Sequence, residues 1–155
     1  MTDADANRNV RALSLVLLIL GAIDLLALVT TLMPAHWIGW FHESCGLGPL
    51  PAGKIVCYLA RTTSGLYAFH GAMLVFISRD VERYRPLIRF LAWATVVHSV
   101  VLLGVGLAER MPLYWILLEG PGFTATGLLL LWLLRDAGKR TEVISQQQVE
   151  SVSRD

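Results

Sequence analysis

The sequence predicts an all-α integral membrane protein: a four-helix bundle with both termini in the cytoplasm. Three observations predict it. Four apolar runs each reach about 20 residues, the length a helix needs to cross a hydrocarbon core of roughly 30 Å. Hydrophobic residues make up 55% of the 155-residue chain and charged ones 16%, with mean hydropathy +0.57, an apolar excess over ordinary soluble domains. The basic residues gather at alternate ends of the runs, as the positive-inside rule requires. Backbone polar groups in lipid must be satisfied within the segment, so continuous apolar runs of this length read as helices, not barrel strands.

Residues 1–11 form a polar cytoplasmic segment carrying Arg8 and Arg11. The first run, 12–33, has one ionisable residue, Asp24. It is longer than a leader's apolar region and no A-x-A-like site follows it, so it is read as a retained span. Pro34 ends it, and the loop to Lys54 reads "PAHWIGWFHESCGLGPLPAGK". Trp37, Trp40 and Phe41 suit headgroup depth, and a short helix lying in the interface would bring them to one side. His36, His42, Glu43 and Cys45 offer metal-ligand donors, but His36 and His42 fall about 120° apart around a helix, and no metal site is assigned. Cys45 and Cys57 fall on the same, outer side. They could pair in an oxidising envelope or remain two unpaired thiols.

The second run, 55–78, contains "YLARTTSGLYAFHG", with Arg61, Ser64, Tyr67 and His70 in a largely apolar segment. Arg79, Arg83, Arg85 and Arg89 crowd the connection to the third run, 87–108, which holds His98. The fourth run, 113–134, contains Glu119 followed by Pro121, which removes a backbone donor and can kink the helix. Residues 135–155 form a polar cytoplasmic tail, without a strong apolar period and expected to be a mobile end.

Depth suggests where a function would sit. If the spans end flush at Met33, Ile55, Ala108 and Leu113, Asp24 lies about 13 Å below the outer surface, and Arg61 and Glu119 each about 9 Å. Ionisable groups at such depth face the bundle and pair, and an arginine fork can bridge two carboxylates. Asp24, Arg61, Ser64 and Glu119 therefore form the expected ligand or ion cluster, structural or functional. His98 and His70, at about 15 and 22 Å, are offset by some 7 Å, which is awkward for two axial ligands of one haem. They are read with Tyr67 as secondary polar groups, and no cofactor is assigned. The net charge of +1 gives no electrostatic case for nucleic acid. No P-loop, GxGxxG, HExxH or CxxC motif occurs.

The four-span layout, the "YLARTTSGLYAFHGAML" span with Arg61 followed by Gly65 and Gly71, the basic turn and a third span ending in "LLGVGLA" together resemble the DoxX-like group of small bacterial membrane proteins. The likeness runs from about Ile19 to Leu134. It implies a four-helix bundle in a bacterial inner membrane, in a group where some members associate with quinone-linked or thiol-redox complexes. The expected role is non-enzymatic: an accessory or small-ligand-binding subunit whose partners are the bilayer and other membrane subunits or further copies of itself. A component of a quinone-linked redox complex and a small oligomeric transporter are the alternatives.

Overall fold

The computed structural model describes the backbone of residues 3–152 and the side chains of residues 8–135. It is helical, with no strand among the described residues. The helices are α1 (Asp3–Leu25), α2 (Ala27–Leu32), α3 (Ala35–Ser44), α4 (Lys54–Ile77), α5 (Arg85–Ala108) and α6 (Leu113–Val152). Three stretches are long and apolar enough to cross a membrane: Arg8–Leu32, which joins α1 to α2, Arg85–Ala108 and Leu113–Arg135. These are the features of a helical membrane protein. The fourth expected span, α4, has the length but not the apolarity. Arg61, Thr62, Thr63, Ser64 and His70 dilute its middle.

Two differences from the sequence reading concern the ends. Helix α1 begins at Asp3 and α6 continues to Val152, so the backbone is helical where polar tails were expected. The tail side chains beyond Arg135 lie outside the described residues.

The chain divides into two compact units, Val16–Arg79 and Met1–Leu15 with Asp80–Asp155. In the second of these, α5 and α6 form an antiparallel hairpin. The turn is a Schellman motif. Met111 N–H donates to the Gly106 carbonyl (2.9 Å) and Arg110 N–H to that of Leu107 (3.2 Å), with Arg110 in the left-handed region at φ 53°. These bonds satisfy carbonyls that a helix end leaves over. The register then holds along the hairpin. Gly106 meets Ile116, Gly120 meets Leu103, and Gly127 meets Val96. Ser99, 1% exposed, shares a 2.7 Å hydroxyl hydrogen bond with Thr124. At Gly127 the helices nearly touch. A Cβ there would stand 2.7 Å from the Ala92 carbonyl oxygen, so a side chain is excluded.

In the unit Val16–Arg79, α4 packs along the end of α1 and along α2. Gly21 and Gly71 mark the crossing, where a Cβ on Gly71 would lie 2.6 Å from the Gly21 carbonyl oxygen and 2.7 Å from Leu25 N. The helix breaks just beyond. Leu26 N–H takes the Ile23 carbonyl (3.1 Å), a tighter i to i−3 bond, and α2 resumes at Ala27. Met33 ends α2 in an extended conformation, the one a following proline favours. Helix α3 carries the expected aromatics. Ile38 is buried, whereas Trp37, Trp40 and Phe41 are exposed, and the Trp40 and Phe41 rings meet edge to face at 4.9 Å. Such amphipathic aromatics suit a membrane interface.

Candidate functional site

The polar residues of α4 find partners on α1 and α2, though not the ones that flush helix ends predict. His70 Nδ1 donates to Asp24 Oδ2 at 2.8 Å. The two are half-buried, with side chains 40% and 25% exposed. Because a carboxylate only accepts, the imidazole carries its proton on Nδ1 in this bond. The contact is a hydrogen bond at any charge state of the imidazole, and an ion pair when the ring is protonated.

Arg61 is exposed and turns to the end of α2, where its Nη2 donates to the Met33 carbonyl at 3.0 Å. That carbonyl is left over because Pro34 stops the helix and Trp37 N–H bonds the Pro34 carbonyl instead. A guanidinium there also complements the negative end of the helix dipole. Thr31 Oγ1, on the same helix, stands 3.3 Å from the Ala27 carbonyl and 3.4 Å from that of Arg61. Asp24 and Arg61, expected together in one layer, therefore take different partners.

The cause is a slip in register. Asp24 stands opposite His70, Thr31 opposite Arg61 and Gly65, and Met33 opposite Arg61. A flush start would set Met33 beside Ile55. The difference is six residues, about 9 Å at 1.5 Å per residue. Arg61 thus lies level with the C-terminal end of α2, not well below it.

Around Arg61 a cavity of about 700 Å³ opens at the start of α4. Lys54, Cys57, Tyr58, Arg61 and Thr62 line it, with Ala35 and Gly53. The spacing 54, 57, 58, 61 is that of one helix face. The lining holds two cations, two hydroxyls and a thiol, and no carboxylate. Lys54 makes no hydrogen bond or ion pair among the described residues. A second, apolar cavity of about 380 Å³ lies between α2 and α3, walled by Leu26, Val29, Met33, Trp37 and Phe41 among others.

The remaining predicted residues are placed as follows. Ser64 is half-buried on α4 and stands outside the lining of the first cavity. Tyr67 is 38% exposed. Glu119 is half-buried on α6, in the other unit, directly before Gly120, which with Pro121, Ser99 and Thr124 among others lines a cavity of about 410 Å³. His98 is exposed on α5, its ring edge to face with Phe123 at 6.4 Å. In the loop, His42 Nδ1 donates to the Gly48 carbonyl at 2.7 Å, closing the turn after α3, while His36 lies exposed against Trp37. No disulfide joins Cys45 and Cys57. Cys45 N–H is held in the last turn of α3 by the Phe41 carbonyl (2.9 Å), and Cys57 faces the cavity on α4.

Lys54, Tyr58 and Thr62 were not among the site residues expected from the sequence, where Lys54 counted only as a basic residue of the loop. Their spacing from Arg61 was available, but a ruler that sank Arg61 into the hydrocarbon pointed away from the helix start. No family model matches the chain, and no curated protein or solved structure matches it either.

Proposed function

We propose that the chain is a four-span protein of a bacterial inner membrane, with α4 as the remaining span and both termini cytoplasmic. Its role is that of a non-enzymatic accessory or small-ligand-binding subunit, similar in layout to the DoxX-like group, with its ligand site at the outer end of α4. One observation carries the reading. The polar groups that set α4 apart from the other long helices are of two kinds. His70 and Arg61 are matched by Asp24 and the Met33 carbonyl, as polar groups in a membrane helix need to be. Lys54 and the hydroxyls around it are unmatched and line an open cavity.

The basic residues around the α4–α5 turn support the orientation, since Arg79 and Arg83 lie in the short connection and Arg85 and Arg89 in the first turns of α5. Alkaline phosphatase fused after Gly46 should be active, and fused after Arg83 inactive. The reverse pattern would overturn the topology. Protein purified in mild detergent should show no visible absorption band and carry no quinone. A bound chromophore or quinone would favour a redox component instead.

A further inference from the structure

We infer that the cavity at the start of α4 binds a phosphate oxyanion, taken between Lys54 and Arg61. The inference rests on the four-span reading above and names the ligand class of its site. The charge balance leads to it. Lys54 and Arg61 share one face of α4 and line one cavity, no carboxylate lines it with them, and Lys54 has no partner among the described residues. No side chain of the lining offsets the two charges, so the cavity presents a positive wall.

The geometry favours phosphate among anions. Arg61 is pinned through one Nη2 hydrogen to the Met33 carbonyl, which orders the guanidinium and leaves the second Nη2 hydrogen, with Nε or Nη1 beside it, as a two-donor edge for a ligand. A fixed fork suits the tetrahedral oxygens of a phosphate. Lys54, two turns away, supplies a mobile point charge, and the Tyr58 and Thr62 hydroxyls add neutral donors at the same wall. At about 700 Å³ the cavity also leaves room for whatever the phosphate is esterified to.

Position favours it as well. Arg61 stands at the outer end of the apolar stretch Arg8–Leu32, and Lys54 lies about 10 Å further out along α4. Exposed Trp37 and Trp40 on α3 belong to this same end. Lipid phosphates occupy that layer, and so does phosphate from the outer aqueous side.

The experiment separates these two sources. Delipidated protein in detergent is titrated with an equal mixture of phosphatidylglycerol and phosphatidylcholine, and retained lipid is counted by native mass spectrometry. In parallel, thermal unfolding is followed with added inorganic phosphate. The wild-type protein should retain phosphatidylglycerol in preference, because the choline cation of the other lipid meets Lys54 and Arg61 unfavourably. Lys54→Gln removes a cation that makes no hydrogen bond or ion pair among the described residues and should lower the preference about fivefold, the worth of one cation near an anionic headgroup. Arg61→Lys keeps the charge and a donor for Met33 but loses the fork, and should lower it too. If inorganic phosphate raises the unfolding temperature and displaces the lipid, the site takes free phosphate. If phosphatidylglycerol is retained and inorganic phosphate does neither, the source is the lipid. Equal retention of the two lipids with no effect of inorganic phosphate would overturn the inference, as would a preference unchanged in both variants. Either failure leaves the fusion results intact, whereas reversed fusions would overturn the four-span reading itself.

Discussion

Asp24 and His70 meet where Gly71 brings α4 against Leu25 and the Asp24 Cβ. Without a side chain at 71 the backbones come close enough for a short carboxylate and an imidazole to bond directly. A double-mutant cycle on Asp24→Ala and His70→Ala should therefore give a coupling of about 0.5–1.5 kcal/mol, the range of interhelical hydrogen bonds in membranes. The same cycle on Asp24 and Arg61 should give a coupling near zero. Detergent unfolding of the four variants in each cycle measures both, and an Asp24–Arg61 coupling above that of Asp24–His70 would restore the cluster expected from depth alone. Arg61 itself is exposed, so its bond to the Met33 carbonyl is partly screened. Arg61→Leu should cost only about 1 kcal/mol, well under the 3–5 kcal/mol typical of a broken buried pair.

At the scale of elements, glycines decide which helices can approach. Gly71→Ala would drive a methyl into two backbone atoms of α1, and Gly127→Ala into the Ala92 carbonyl and Val96. Each should destabilise by about 1–3 kcal/mol, as overpacking does. Gly104→Ala, on the same helix pair as Gly127 and with nothing within 4 Å, should be neutral or stabilise by up to about 1 kcal/mol through helix propensity. Thermal unfolding of the three variants under one set of conditions tests the contrast. The same elements show what could be read beforehand. Helix α5 and the start of α6 were legible because the connection between them is short, and a short turn fixes both ends of an antiparallel pair. Helix α4 kept its length in the reading but not its register, because residues 33–53 separate it from α2 and include a helix of their own. A long connection does not hold two ends level. That one slip moved Arg61 from the expected mid-span depth to the end of α2, and hid both the Asp24–His70 bond and the cavity beside Lys54.

For the molecule as a whole, the apolar runs made its membrane character legible from composition and length alone. The two thiols offer a check on the proposed outer end as a unit. With no disulfide present and Cys45 exposed, maleimide should label Cys45 in intact cells from the outer side without prior reduction. Cys57, facing the cavity, should label too, and more slowly once the cavity is occupied. Labelling that requires a reductant would show the two cysteines joined.

Helix α4 has one more consequence, for the lipid around it. Between Gly65 and Ile77 its more apolar part, interrupted by His70, runs about 20 Å, against roughly 30 Å of hydrocarbon in an average bilayer. The two long helices α5 and α6 have no such shortfall. If α4 spans the membrane as proposed, the bilayer thins beside it, at a cost of fractions of a kcal/mol per Å of mismatch. The protein should thus be sensitive to acyl-chain length. Its unfolding temperature, measured across phosphatidylcholines of increasing chain length, should be highest in short-chain bilayers and fall as they thicken, and a flat profile would mean that other helices shield α4 from lipid.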